Sequence, residues 1–231
     1  MKRFWKQVSY VEAKDGWRVL LDGRAIKTVG GRAQVVPTAA LAEALAGEWA
    51  AQGEEIDNAG FVLRDMADFA LDVIGTAREA QIEDLVSYGE TDTLCYRADP
   101  GEALAERQDQ VWEPILKAAE RRYDIHFERI SGVIHRLQPQ ATIARLRAVL
   151  EAESDFTLAA LKTLASLSAS LTIALAAIER GADVNALWHA ANLEEDWQAE
   201  LWGKDAEAMA RRDRRQRDFA AAARFAELAQ S

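Results

Sequence analysis

Four carboxylates crowd into seven positions of one tryptophan-rich stretch, Leu193–Gly203, which reads L-E-E-D-W-Q-A-E-L-W-G. Glu194, Glu195, Asp196 and Glu200 are the groups in this sequence best placed to do chemistry. Paired carboxylates perform general acid–base work where their surroundings separate their pKa values. On a helix, however, adjacent positions point about 100° apart, and no nucleophile, histidine or oxyanion donor accompanies these four. A solvated helix face explains Glu194 and Asp196 equally well. Other catalytic signals are missing. No G-x-G-x-x-G, G-x-x-x-x-G-K-[ST] or G-x-S-x-G occurs. None of His126, His135 and His189 has a glutamate three residues earlier, so neither a zincin helix nor the Glu-x-x-His signature of di-iron bundles is available. Cys95 is the sole cysteine, so it forms no internal disulfide framework, and it becomes a nucleophile only beside a base that the sequence does not point to.

The element that positions the acids reads as a helix from about Asp183 to Trp202. Along it Trp188, Glu195 and Trp202 recur every seven residues, nearly in line on one face. Ala186, Ala190, Leu193, Trp197 and Leu201 make a stripe on the opposite side. One helix cannot bury two opposed stripes against a single neighbour. Either it runs through the middle of a bundle, or one stripe is kept for another molecule. Glu195, set between two tryptophans, is costly to bury unpaired. A core reading therefore needs a hydrogen bond or an arginine to hold it.

Around that helix the chain divides into two kinds of sequence. Asp15-Gly16, Asp22-Gly23 and Gly30-Gly31 are turn dipeptides joining short runs rich in Val, Leu, Ile and Trp. They predict a meander of about four strands: Lys6–Ala13, Trp17–Leu21, Ala25–Thr28 and Gln34–Val36. Thr38 is placed to cap a following helix that carries Leu41, Leu45 and Trp49, with Gly53 as its stop. A second helical pattern (Met66, Phe69, Ala70, Val73, Ile74) follows a loop over Ile56–Leu63. From there helices are expected over about 79–88, 102–122, 140–152, 155–179, 183–202 and 205–229, with an irregular segment at Tyr123–Ile134. The expectation is an α+β protein: a small β-rich N-terminal domain over 1–80 and a larger helical domain over 81–231.

The chain has 231 residues, 49% hydrophobic and 29% charged, which describes a soluble globular protein with room for a substantial core. A formal net charge of −10 argues against nucleic acid or an anionic membrane as the main partner. Within that acidic chain Arg211, Arg212, Arg214, Arg215 and Arg217 form a basic run, read as a solvated helix face or as a site for phosphate or an acidic patch. Phe156–Ile178 is rich in Leu and Ala, but its charge-free part, Thr163–Ile178, spans 16 residues, short of the ~20 that a membrane-crossing helix needs. Small residues at Ala165 and Ala169, and at Ser166 and Ser170, predict close approach of another helix instead. The N-terminal M-K-R-F-W-K lacks a signal-peptide core, so a cytoplasm-like compartment is expected.

Several stretches in order resemble the family of ATP synthase assembly chaperones that bind the α subunit of the soluble catalytic head. They are R-F-W-K-Q-V at the N-terminus, G-W-R-V-L-L-D-G-R-A-I-K-T at Gly16–Thr28, V-V-P-T at Val35–Thr38, and L-A-E-A-L-A-G-E-W-A-A-Q-G-E-E-I-D ending at Asp57. Y-G-E-T-D-T-L-C-Y-R at Tyr88–Arg97, Q-x-x-x-W-E-P at Gln108–Pro114 and L-E-E-D-W-Q-A-E-L-W-G-K-D at Leu193–Asp205 complete the set. The chain departs from the pattern at Val29, where the family tends to carry proline, and at Phe61-Val62-Leu63-Arg64, where it usually reads Met-Pro-Leu-Thr. The resemblance implies a two-domain chaperone, monomeric when free, that holds the new α subunit until the β subunit replaces it. It implies no cofactor, catalysis or membrane insertion, a cytoplasmic setting in bacteria and a mitochondrial matrix setting in organellar relatives. It places partner binding on Glu195, with Glu194, Gln198 and Glu200 as neighbours and Trp188 and Trp202 framing the patch. Asp92, Tyr96 and Arg97 are read as a connection between helices stabilised by an Asp–Arg pair. Two other classes stay open at this stage: a cofactor-free hydrolase using Glu194, Glu195 and Glu200, and a general holdase without a dedicated client.

Overall fold

Asp15-Gly16 and Asp22-Gly23 do turn the chain back on itself. In a computed structural model describing residues 1–131, 136–203 and 205–230, strands β1 (Val8–Ala13), β2 (Gly16–Leu21) and β3 (Arg24–Ala25) form an antiparallel sheet in the order β1-β2-β3. Gly16 has φ +142°, and a Cβ there would lie 2.4 Å from the Val36 carbonyl oxygen, so the first turn requires glycine. At the second, the Asp22 carboxylate accepts the N–H groups of Gln7 and Lys6, which hold it below the usual carboxylate range.

The meander is shorter than the alternation predicts. Beyond β3 only two isolated bridges form, Lys27↔Ala33 and Trp17↔Val36. Two aspartates hold the turn between the third and fourth expected strands. The N–H groups of Val29 and Gly30 go to the carboxylates of Asp68 at 3.0 Å and Asp72 at 2.8 Å. Thr28 and Gln34 donate side-chain hydrogen bonds to the same pair. Val29, where the family tends to carry proline, thus contributes an N–H that proline lacks.

Helix α1 (Ala39–Ala50) starts where Thr38 caps it, the hydroxyl accepting from the Leu41 N–H at 3.1 Å. It buries Leu41 and Leu45, packs on β1 and β2, and stands Trp49 between Trp5 and Phe61, with ring centroids 4.9 and 4.5 Å apart. Helix α2 (Val62–Phe69) has no side-chain cap of its own. Glu48 of α1 does that work, accepting from the N–H groups of Leu63 at 2.7 Å and Arg64 at 2.9 Å. A π-helical turn at Ala70–Ile74 runs on into α3 (Gly75–Glu90), so the helix expected from 79 begins earlier, with non-helical angles at Ala77.

Residues 1–78, together with 154–160 and the chain from Ala221, make one compact unit, and 79–153 with 161–220 make a second. The late segments are anchored in the first unit by specific contacts. Phe156 stacks on Phe225 with centroids 6.2 Å apart, and Thr38 Oγ1 donates to the Leu228 carbonyl at 2.5 Å.

The second unit is built on α4 (Ala103–Tyr123), α5 (Gln140–Glu151), most of α6 (Asp155–Ser168), α7 (Leu171–Ala177), α8 (Val184–Ala191), α9 (Leu193–Trp202) and most of α10 (Ala206–Gln230). A two-residue parallel pair joins β4 (Tyr96–Arg97) to β5 (Ile130–Ser131), and β5 lies in the segment expected to be irregular. Trp112 and Leu116 of α4 are fully buried, and the Trp112 indole donates to the Ala190 carbonyl at 2.7 Å. His126 is exposed beside Glu120, and His135 lies outside the described residues. No described helix is long and apolar enough to cross a membrane.

The helix expected over 155–179 is two helices. Ala169 takes a left-handed conformation, φ +50°, and Ser170 caps α7 by accepting from the Ile173 N–H. The Ala169 carbonyl accepts both the N–H and the hydroxyl of Thr93. Ala165 and Ser170 are buried, while Ser166 and Ala169 are exposed, and Ala169 meets Thr93 through its carbonyl alone. A left-handed alanine costs roughly 1–2 kcal/mol, and glycine does not carry that strain. Ala169→Gly is therefore expected to raise the midpoint of thermal unfolding by about 2–4 °C. An unchanged or lower midpoint in calorimetry would contradict the strain argument.

The Asp92–Arg97 pair does not form. Asp92 is fully buried and accepts from the Leu94 N–H at 3.1 Å and the Thr172 N–H at 2.8 Å. Arg97 turns instead to Asp109 at 3.2 Å and Glu113 at 3.3 Å on α4. Each residue found the partner that its own burial demanded, the carboxylate two backbone donors and the guanidinium two acids.

Candidate partner-binding site

The helix predicted over 183–202 is broken at Asn192. There the backbone departs from helical geometry (φ −108°, ψ 22°), and the Asn192 amide donates to the Trp188 carbonyl at 2.8 Å. The break separates residues that a single helix would have aligned. Trp188, on α8, is buried, packs against Phe219 at 5.5 Å and has the Arg215 guanidinium over its ring at 5.8 Å. Trp202, at the end of α9, is 79% exposed. The two tryptophans thus sit in opposite environments, and only Trp202 is open to another molecule.

Helix α9 keeps its inner side by Leu193, which is buried, and Asp196. Arg212 of α10 grips Asp196 with both terminal nitrogens, one contact at 2.7 Å, and His189 Nδ1 lies 3.4 Å away. Burial works against ionisation of Asp196, but the Arg212 hydrogen bonds and charge, aided by His189, outweigh it and hold the carboxyl below the usual range. Its stabilising contribution is present above the unfolded value of about 3.9 and is lost as pH falls through the lower folded value. Asp196→Asn is expected to flatten this part of the acid limb in denaturant midpoints measured from pH 2 to 6. An unchanged acid limb would show that the pair does not couple to folding.

Of the other acids, Glu194 accepts from Gln108 Nε2 at 2.7 Å, and the Gln108 carbonyl oxygen in turn accepts the Ala98 N–H. Glu195 is 59% exposed in its side chain and only loosely paired, 3.8 Å from Arg215. At 100° per residue Glu194, Glu195, Gln198, Leu201 and Trp202 fall within one arc of about 120°, and all five are exposed. Leu201 and Trp202, at 59% and 79%, are among the most exposed large apolar side chains of the second unit. Glu200 points from the other flank into a 390 Å³ hollow that it shares with Arg107, His189 and Trp197. Gly203, with φ +91°, ends the helix.

The structure thus brings Glu194, Glu195, Gln198 and Trp202 together, sets Glu200 to one side and withdraws Trp188. Leu201 was grouped by spacing with the opposite stripe. Within α9 Leu201 stands about 80° from the buried Leu193 and about 40° from the half-buried Trp197, at the edge of that stripe, and in the last turn it is exposed. The basic run is mostly engaged along α10: Arg211 with Glu207, Arg212 with Asp196, and Arg215 with Glu195 and the Leu167 carbonyl. Chemistry is poorly supplied here. Cys95 is buried and its thiol is pushed well above its ordinary value, first by burial and then by Asp92. No cluster of His, Cys, Asp or Glu among the described residues is arranged to hold a metal.

The molecule is thus a two-unit α+β fold with a small antiparallel sheet, a helical second unit and an exposed acidic and apolar face on α9. Comparison with known proteins gives the family. The profile of the ATP12 chaperone protein family matches residues 2–120. Atp12 from Paracoccus denitrificans is 35% identical and superposes with a TM-score of 0.93 over 99% of this chain and 98% of that one. An Asp→Lys variant of Atp12p from P. denitrificans gives the same score, covering 99% and 97%. Protein atp12, mitochondrial, from Schizosaccharomyces pombe is 23% identical over 214 residues, 87% of this chain and 74% of that protein. The chain belongs to the ATP12 chaperone family, the family of ATP synthase assembly chaperones that its motifs resemble.

Proposed function

We propose that this chaperone binds the unassembled α subunit of ATP synthase and covers its β-facing surface until the β subunit takes its place. The observation that carries the reading is the exposed arc of α9, where Leu201 and Trp202 stand in water beside Glu195 and Gln198. An exposed tryptophan beside an acid suits an interface anchor better than a solvated face. The logic of the task fits. An unpartnered subunit presents apolar surface prone to aggregate, a cover stabilises it by mass action, and displacement requires that cover to bind more weakly than β.

In this reading Trp188 acts from beneath, its ring under Arg215, the cation that approaches Glu195. The protein works by binding and release, without catalysis or cofactor, as a monomer, in the cytoplasm of a bacterial cell or the equivalent matrix compartment. Trp202→Ala is expected to weaken capture of purified α subunit at least tenfold while leaving thermal unfolding unchanged, since an exposed side chain contributes little to folding. Capture by Trp202→Ala equal to that of the parent chain would remove α9 from the interface. Equal suppression of aggregation for α and for unrelated proteins would favour a general holdase.

A further inference from the structure

The first unit carries an unfinished sheet edge with a groove beside it. Strand β1 is bonded on one side only, to β2. Trp17 exchanges both backbone hydrogen bonds with Val36, and the Val19 carbonyl accepts from Ile26, so these two residues face away from β1. Their partners across the ladder are Glu12 and Tyr10. By the alternation of antiparallel pairing, Val8, Tyr10 and Glu12 direct their N–H and C=O groups to the free edge, while Ser9, Val11 and Ala13 bond β2. Among the described residues no other backbone takes up that edge.

Such edges are usually blunted by proline, inward charge or a bulge. β1 has no proline and no bulge, its one charge is the exposed Glu12 beside the turn, and Tyr10 and Val11 are 37% and 42% exposed. Alongside lies a 340 Å³ groove walled by Val8, Ser9 and Tyr10 on the strand and by Glu43, Ala46, Gly47 and Ala50 on α1. The helix wall is low: a Cβ added at Gly47 would meet nothing within 4 Å. Val8 and Tyr10 share the face of the buried Val19 and Leu21, so a strand added to β1 would turn alternate side chains into this groove.

We infer that β1 and the groove beside α1 bind an extended segment of the client subunit by strand addition, the segment being apolar at alternate positions with a lysine or arginine facing Glu43. Main-chain pairing would supply affinity and the groove selectivity. Charge selects this occupant over a second copy of the chain. Glu43 is the one charged residue lining the groove and has no ion-pair partner among the described residues, and β1 itself, V-S-Y-V-E-A, would bring another acid and no cation. This inference rests on the proposed chaperone function.

The test is amide hydrogen exchange followed by NMR on the whole chain, alone and with purified ATP synthase α subunit. Val8, Tyr10 and Glu12 amides are expected to exchange freely in the chain alone and to slow at least a hundredfold in the complex. Glu12→Pro removes one outward N–H and no bond to β2. Gly47→Phe fills the groove. Each is expected to weaken capture of α at least tenfold with the thermal midpoint within a few degrees of the parent. A stable complex in which the three amides still exchange freely, or in which both variants bind like the parent, overturns strand addition and leaves the client reading standing. Absence of any complex overturns both. Protection that appears without α and grows with chain concentration assigns the edge to a second copy and overturns the client segment.

Discussion

Asp92→Ala is expected to cost about 3–5 kcal/mol of stability, the largest effect of any single replacement considered. The carboxylate is completely buried between two elements. It caps the short helix Thr93–Cys95 through the Leu94 N–H and the first turn of α7 through the Thr172 N–H. Alanine leaves both donors buried without partners, and each such group costs about 1–3 kcal/mol. In thermal unfolding this corresponds to a fall of roughly 6–20 °C for a protein of this size. The ionisation of the same group gives an independent check. Burial is the largest influence and raises the Asp92 pKa despite the hydrogen bonds to Ser170 and Thr172. Between the unfolded value and the raised folded value the native chain holds a proton that the unfolded chain has released. This group's contribution therefore falls as pH rises through that window. Asp92→Asn, which cannot ionise, is expected to lose that slope. A midpoint for Asp92→Ala within 2 °C of the parent would show that the two N–H groups find other partners.

Glu195→Lys is expected to reduce capture of the α subunit by tenfold to a hundredfold and to leave folding intact. Among the described residues the only charged contact of Glu195 is the loose approach of Arg215 at 3.8 Å, both side chains being largely exposed. Exposed pairs of this kind contribute about 0–1 kcal/mol, so the fold does not depend on it. In the proposed complex the same carboxylate, beside Trp202 and Gln198, would be desolvated. There, loss of a charged contact costs about 2–5 kcal/mol, and a misplaced positive charge adds repulsion. The Glu195→Gln variant separates the two parts, keeping shape and removing charge. Circular dichroism and the thermal midpoint establish that each variant is folded before binding is read by titration calorimetry. If folded Glu195→Lys protein holds α as tightly as the parent, the acid is not part of the interface.

Local chemistry was legible wherever one residue type suffices to make the element. Thr38 caps α1 as its hydroxyl and position require, and the Asp-Gly pairs place the turns of the sheet. The α+β class followed from the change from period-two runs to helical spacing at Pro37-Thr38. The breaks within helical sequence were not legible. Ala169 and Asn192 are neither glycine nor proline, and what fixes them is tertiary: Thr93 bonding the Ala169 carbonyl, and Asn192 folding back on Trp188. Because a helix carries its side chains in rotation, the break at Asn192 changed which residues share a face. Acidic character at 194–200 was readable, but the exposure of Leu201 and the burial of Trp188 were not. The pairing of Asp92 and Arg97 failed for a related reason. Opposite charges five residues apart invite an ion pair, yet helices α4 and α7 offered each of them better partners. The return of residues 154–160 and the chain's end to the first unit left no mark in composition at all.

The most direct test of the account is co-expression of this chain with ATP synthase α alone, and then with α and β together, followed by pull-down and a solubility assay. A placeholder predicts a soluble complex with α that is captured in the first case and lost when β is present. Soluble α with no chaperone retained, or equal capture of unrelated proteins, would contradict a dedicated client and leave the exposed face of α9 without its proposed partner.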